Sequence, residues 1–159
     1  YSRDHYLRIT DGKGRQEWTS VDSYGGSANT LATKVPGDKG ELDIRYLPSR
    51  VHVVDLDNDG IKEIVAVKNE DRARAFSRLR MFKQGRLVVL KWDQIGLMPV
   101  WRTRSVTKFI GDFTLGDVDG DGRMEIVAAI VQKGQNVTGS GTSYLAVFSL
   151  GNPNTAVRP

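Results

Sequence analysis

The chain has 159 residues, 39% hydrophobic and 26% charged, which is the balance of a folded domain rather than a disordered segment. It has no cysteine, which excludes disulfides and thiolate metal sites, and no apolar run approaches the roughly 18 residues that a transmembrane helix needs. The formal net charge of +4 hides an asymmetry, because eight of the 19 acidic residues lie in two short loops. The remainder of the chain is strongly basic.

The first predicted strand covers residues 6–9 (YLRI) and is followed by a glycine turn at 12–14 and by Trp18. This order is similar to the second half of a longer unit that occurs twice further along the chain. We therefore expect residues 1–46 to hold the outer strands of an incomplete sheet plus a connecting loop. Tyr1 opens directly into polar sequence, so we expect a removed targeting segment or a piece of a longer chain.

The longer unit contains an acidic loop followed by a β-branched run. Residues 51–67 (VHVVDLDNDGIKEIVAV) and 113–129 (FTLGDVDGDGRMEIVAA) are identical at eight of 17 positions, at an offset of 62 residues. A strand is predicted on each side of each acidic loop, because the flanking segments are short, apolar and rich in β-branched residues.

A second recurring piece follows each loop, at residues 78–85 (RLRMFKQG) and 144–151 (YLAVFSLG). We expect a turn at Gln84 and Gly85, and a further strand over residues 87–92. Each unit is thus predicted to be a four-stranded antiparallel sheet. The units are expected to occupy residues 47–108 and 109–159.

The acidic loops carry the pattern of a calcium site. Carboxylates stand at the first, third, fifth and ninth positions, a glycine stands sixth, and the seventh residue can offer its carbonyl oxygen. The predicted ligands are Asp55, Asp57, Asp59, Ile61 and Glu63 in the first loop, and Asp117, Asp119, Asp121, Arg123 and Glu125 in the second. Four crowded carboxylates need a cation, and oxygen ligands in this number suit Ca²⁺ better than Mg²⁺ or Zn²⁺. An EF-hand is excluded, since its twelfth position is Ala66 or Ala128 here, within predicted strands.

In these segments the chain resembles the FG-GAP/VCBS repeat family, whose repeats form the blades of integrin α-subunit propellers. The resemblance implies an all-β fold of four-stranded β-propeller blades, with a calcium loop between the first two strands of each blade. About two and a half blades are present, so we expect a partial propeller. Its remaining blades would belong to the same propeller or to another chain.

Function is predicted from the loop type. Extracellular calcium fills loops with dissociation constants of about 10⁻⁴–10⁻³ M, so we expect an extracellular, periplasmic or cell-surface protein. Its role would be binding, adhesion or assembly, and the segment itself is not expected to be an enzyme. Two alternatives stay open: part of a secreted propeller-fold carbohydrate-active enzyme, such as a polysaccharide lyase, or a structural subunit of a filament or surface layer.

Basic residues outside the loops suggest a possible partner. They form either solvated loops or a surface for an anionic polysaccharide or another anionic surface ligand, whereas the lack of interleaved aromatic residues disfavours nucleic acid. The cluster comprises Arg72, Arg74, Arg78, Arg80, Lys83, Arg86, Lys91, Arg102, Arg104 and Lys108. His52 is expected to pack on its strand, and Trp18, Trp92 and Trp101 are expected to pack between sheets.

Overall fold

The computed structural model describes residues 5–34, 42–71, 81–107, 109–132 and 142–150. Within these ranges the chain is all-β, and no helix long and apolar enough to span a membrane occurs. The strands are β1 (Tyr6–Thr10), β2 (Gln16–Ser23), β3 (Thr30–Lys34), β4 (Leu42–Tyr46), β5 (Val51–Val54), β6 (Glu63–Asp71), β7 (Phe82–Trp92), β8 (Leu97–Arg102), β9 (Phe109–Gly116), β10 (Glu125–Gln132) and β11 (Thr142–Ser149).

The strands form small antiparallel sheets. Strands β5 to β8 make a four-stranded meander in chain order, and β9, β10 and β11 make a three-stranded one with β10 in the centre. The hairpins β1–β2 and β3–β4 are separate two-stranded sheets. None of the sheets closes on itself within the described ranges. The all-β prediction is confirmed, as is the four-stranded antiparallel sheet around the first acidic loop.

The predicted turn at Gln84 and Gly85 is wrong. Both residues lie inside β7, where they pair with Glu70 and Asn69 of β6. Gly85 is needed there for close packing, because an added Cβ would meet the Asn69 side chain and lie 3.2 Å from the backbone nitrogen of Ile110. The sheet takes its last strand from β8 instead, which the sequence pattern did not predict.

The pairing also corrects the alignment of the second recurring piece. Ile64 pairs with Leu90 in the four-stranded sheet, and Ile126 pairs with Phe148 in the three-stranded sheet. Residues 144–149 therefore correspond to 86–91 and not to 78–83. The misplaced turn caused this error, since it divided one long strand into two.

The segment predicted as a connecting loop contains the hairpin β3–β4. Its strands pair from Thr30 opposite Tyr46 to Lys34 opposite Leu42. Both strands are largely exposed, including Leu31, Leu42 and Ile44. Its short, exposed strands carry no alternating buried face, which is why no strand was predicted here.

The four-stranded sheet is buried on both faces. Val65 and Val67 of β6, with Leu87 and Val89 of β7, are at most 3% exposed and face the three-stranded sheet. That sheet contributes Ile110, Phe113, Ile126, Ala128, Ile130, Ala146 and Phe148. Complete burial of a Val or Leu side chain stabilises a fold by about 1.5–3 kcal/mol, so this interface is a principal part of the core.

The opposite face of the four-stranded sheet packs against the β1–β2 hairpin. Ala66, Val88 and Leu90 contact Leu7 of β1 and Tyr24, which follows β2. The three sheets are therefore stacked face to face, with the four-stranded sheet in the middle.

Aromatic side chains occupy both interfaces. Trp18 of β2 meets Trp92 of β7 edge to face, with 6.5 Å between ring centroids, and Trp101 packs against the core on the other face. His52 of β5 lies 5.2 Å from Phe113 of β9, centroid to centroid. The predictions that these tryptophans and His52 serve packing are confirmed.

Candidate metal centres

Each acidic loop is the turn of a β-hairpin. The first loop, residues 55–63, joins β5 to β6, and the second loop, residues 117–125, joins β9 to β10. Carboxylate oxygens of Asp55, Asp57 and Glu63 lie within 4.8 Å of one another. The same is true of Asp117, Asp119 and Glu125. These two clusters could each hold a metal ion.

Backbone N–H groups orient the carboxylates of the first loop. Gly60 N donates to Asp55 Oδ2 at 2.9 Å, and Leu56 N donates to Glu63 Oε2 at 2.9 Å. These bonds fix the first and last acids of the loop relative to each other. One oxygen of Glu63 is thereby used by the backbone, which leaves its Oε1 directed elsewhere.

The second loop repeats these bonds. Gly122 N donates to Asp117 Oδ2 at 3.0 Å, and Val118 N donates to Glu125 Oε2 at 2.9 Å. Glu63 and Glu125, which end the two loops, are 2% and 4% exposed. A buried carboxylate is costly without a partner, so the two loops place strong acceptors where a cation would be stabilised.

The fifth- and seventh-position residues have a different role from the converging acids. Asp59 Oδ1 accepts a hydrogen bond from Ile61 N at 2.8 Å, and Asp121 Oδ1 accepts one from Arg123 N at 2.8 Å. Neither aspartate belongs to the sets of three that converge. Metal ligation by these aspartates and by the two seventh-position carbonyls stays a prediction.

The turns need residues that tolerate positive φ. The sixth residues, Gly60 and Gly122, have φ of 86° and 83°. The fourth residues, Asn58 and Gly120, have φ of 58° and 78°. Glycine adopts this region without a steric penalty, and asparagine does so more readily than other side chains.

Lys91 of β7 reaches into the first loop. Its Nζ lies 2.5 Å from Asp59 Oδ2, 3.0 Å from Glu63 Oε1 and 3.3 Å from Asp57 Oδ2. The hydrogen bond from Lys91 is the main cause that lowers the pKa of Asp59 below its usual value. In return, the hydrogen bonds to Asp59 and Glu63 raise the pKa of Lys91.

Lys91 is the site residue that the sequence interpretation missed. The sequence pattern assigns it to the basic cluster, on a strand beyond the predicted turn at Gln84 and Gly85. Once β7 is recognised as one strand beside β6, the pair Ile64–Leu90 puts Lys91 across from Glu63. The pairing register of β6 and β7 is therefore the signal that could have placed Lys91 at the site. In the second loop the corresponding residue is Ser149, which pairs with Glu125.

Among the described residues, no ion pair joins another member of the basic cluster to the acids of either loop. Arg86 pairs with Glu70 at 3.0 Å, and it lines an open groove of about 700 Å³ with Arg102 and Arg104. Lys83 is exposed on β7. The members that lie outside the described residues are Arg72, Arg74, Arg78, Arg80 and Lys108.

No protein-family model matches the chain, and comparison with curated proteins and with solved structures finds no match. The likeness to FG-GAP/VCBS repeats therefore depends on the loop sequences quoted above and stays a prediction.

Proposed function

We propose that the chain is a calcium-binding β-propeller segment of an extracellular, periplasmic or cell-surface protein, acting in binding, adhesion or assembly. One observation carries the proposal: both hairpin loops bring three carboxylates together in the same way. In each, a buried glutamate is held by a backbone N–H at the start of the loop.

Calcium suits these donors. The carboxylate oxygens of each cluster are close enough for one cation to contact all three, and hard oxygen ligands of this kind suit Ca²⁺. Glu63 Oε1 is buried and lies 3.0 Å from the ammonium nitrogen of Lys91, so this oxygen already faces a positive charge. A bound calcium ion would offset much of the repulsion between the acids and so fix the turn between two strands.

The way the sheets stack supports propeller blades. Ala66 of β6 faces the β1–β2 hairpin, whereas Val65 and Val67 face the three-stranded sheet. Ala128 of β10, which aligns with Ala66, likewise faces back toward the preceding sheet. Each sheet thus uses one face toward the preceding sheet and the opposite face toward the following sheet. Propeller blades are stacked in this way.

The outer face of the three-stranded sheet supports a further blade as partner. It carries Val127 and Ala129 with their cross-strand partners Val147 and Leu145, which are 47% and 71% exposed. Val127 and Ala129 align with Val65 and Val67, the residues through which the four-stranded sheet binds its neighbour. Another blade, from the same propeller or from another chain, would cover this face.

The enzyme and filament alternatives have less support in the structure than the binding role. A lyase would need an acid–base group, and His52 packs on Phe113 instead of pointing into a cleft with other ionisable groups. A filament or surface-layer role would use unpaired strand edges of the sheets and predicts ordered self-association.

Thermal unfolding in calcium and in chelator tests the proposal. Calcium at about 100 times its dissociation constant adds about 2.7 kcal/mol of stability, which raises the melting temperature by about 5–10 °C for a chain of this size. Asp119→Asn should reduce the rise, because it removes one charge from the second loop. Asp43→Asn, the same change in the exposed β3–β4 hairpin, should leave it intact. A melting temperature that is equal in calcium and chelator would refute calcium binding.

A further inference from the structure

A positively charged side chain already lies against the acids of the first loop. The ammonium group of Lys91 lies within 3.3 Å of oxygens from Asp57, Asp59 and Glu63, and its side chain is 22% exposed. Glu63 Oε1 is fully buried, and the ammonium nitrogen 3.0 Å away is the positive charge that faces it. Lys91 thus contacts two of the three carboxylates that converge in this loop.

The two loops are otherwise closely matched. Each has four acids at the same positions and one exposed basic residue of its own, Lys62 or Arg123. Each has the same backbone bonds to its first, fifth and ninth acids. Where the first loop has Lys91, the second has the exposed Ser149. Among the described residues, no ion pair joins a basic side chain to the acids of the second loop.

We propose that Lys91 is a built-in counterion of the first loop, so that calcium fills the second loop first and enters the first loop only by displacing the ammonium group. The inference rests on the proposed calcium binding and adds the order in which the sites fill. The negative charge of the first hairpin is partly neutralised by the protein itself. The second hairpin depends on the calcium concentration around the protein.

Simple electrostatics gives the expected size of the difference. A unit positive charge 2.5–3.3 Å from the acidic oxygens competes directly with the incoming ion, and the loop must also lose the Lys91 ion pairs. An effect of roughly 10- to 100-fold on the dissociation constant of the first loop is expected. The two sites should therefore separate in a titration.

Calcium calorimetry on matched variants of the full chain tests the order. Lys91→Met removes the charge but keeps the length of the apolar stem, and Lys91→Arg keeps the charge as a control. Ser149→Lys introduces an ammonium group beside the second loop. Each variant is first melted in chelator to establish that it is folded.

The wild type and Lys91→Arg should show one strong and one weaker calcium site. Lys91→Met should show two sites of similar affinity, and its melting temperature should be lower than that of the wild type in chelator but recover in calcium. Ser149→Lys should weaken the strong site by roughly tenfold or more, which keeps the proposal testable if Lys91→Met does not fold.

The possible failures are distinguishable. Two equal sites in the wild type that Lys91→Met leaves unchanged would overturn the role of Lys91 and leave calcium binding intact. If Ser149→Lys leaves the affinity of the strong site unchanged, the role of Lys91 is likewise overturned and calcium binding is left intact. If neither the wild type nor Lys91→Met binds calcium, the proposed function fails and this inference fails with it.

Discussion

Gly122, the sixth residue of the second loop, shows how one backbone conformation shapes a site. Its φ is 83°, and an added Cβ would meet no atom within 4 Å. Gly122→Ala should therefore act through conformation alone, and we expect it to lower the free energy of unfolding by about 1–2 kcal/mol. Chemical denaturation in chelator measures this effect without a contribution from bound ions.

Gly116 at the end of β9 is the matched control. A Cβ there also meets no atom within 4 Å, but its φ is not in the positive region. Gly116→Ala should leave stability unchanged or raise it slightly, because alanine reduces the freedom of the unfolded chain. Equal losses for both alanine variants would contradict the role assigned to the positive φ of Gly122.

Asp11 gives a prediction about acid pH. Its carboxylate accepts hydrogen bonds from Arg15 N at 2.8 Å and from Arg15 Nε at 2.7 Å, and these bonds lower its pKa. A lowered pKa in the folded chain means that the stabilisation is present above the unfolded pKa of about 4 and is lost as pH falls through the folded value. Asp11→Asn should thus lower the melting temperature at pH 7 and by much less near pH 2.5.

Glu17→Gln, an equivalent loss of charge at an exposed position of β2, controls for net charge in that experiment. Its effect should be small at both pH values. If the loss caused by Asp11→Asn were the same at pH 7 and near pH 2.5, the carboxylate would not be the source of the stabilisation.

At the scale of residues, the converging acids could be predicted from the sequence because their spacing is local. Asp55, Asp57 and Glu63 are brought together by a single turn, and the glycine at the sixth position marks that turn. Lys91 could not be predicted in the same way, since it lies 28 positions after Glu63 and reaches the loop only through strand pairing.

Among the elements, Asn69 of β6 joins three parts of the chain. Its Nδ2 donates to Gly26 O at 2.7 Å and to Ile110 O at 2.9 Å, and its Oδ1 accepts from Ile110 N at 3.0 Å. One side chain therefore connects the segment after β2 and strand β9 to the four-stranded sheet. Within the fold it acts as a cross-link between neighbouring sheets.

Asn69→Ala should lower the free energy of unfolding by about 2–4 kcal/mol, because three hydrogen bonds are lost and the part-buried groups of Ile110 keep no partner there. Urea denaturation measures the loss. Asn29→Ala, at an exposed position before β3, should cost under about 0.5 kcal/mol. A small effect at Asn69 would mean that the sheets are held by apolar packing alone.

At the scale of elements, the strands beside the acidic loops and the second half of β7 were predicted correctly, whereas the continuity of β7 through Gln84 and Gly85 and the strand β8 were not. Glycine usually interrupts a strand, and the pattern around Gly85 therefore indicated a turn. The structure uses Gly85 to let the Asn69 side chain and β9 approach closely. Contacts between sheets therefore decide that Gly85 lies in a strand and not in a turn, and local sequence does not show those contacts.

For the whole molecule, the four-stranded sheet should make the stacked sheets one cooperative unit. Leu87 faces the three-stranded sheet and Leu90 faces the β1–β2 hairpin, and both are fully buried. Leu87→Ala and Leu90→Ala should each cost about 2–5 kcal/mol and keep a single unfolding transition. The exposed Leu145→Ala should cost under about 0.5 kcal/mol.

Calorimetry and circular dichroism of these variants report whether the sheets unfold together. Two transitions, one sensitive to Leu87→Ala and the other to Leu90→Ala, would contradict a single core. The stacking order itself could not be predicted from the sequence, because alternation shows which residues are buried but not which sheet covers them. The number of about two and a half blades stays a prediction, because the pattern of buried residues does not count the sheets that cover them.

Calcium titration followed by the amide resonances of Gly60 and Gly122 tests the central claim most directly. Both N–H groups bond to the first aspartate of their loops, so a bound ion would change their chemical shifts. We predict that millimolar calcium shifts Gly122 first and Gly60 at higher concentration. If neither resonance moves, the acidic loops are solvated turns and not calcium sites.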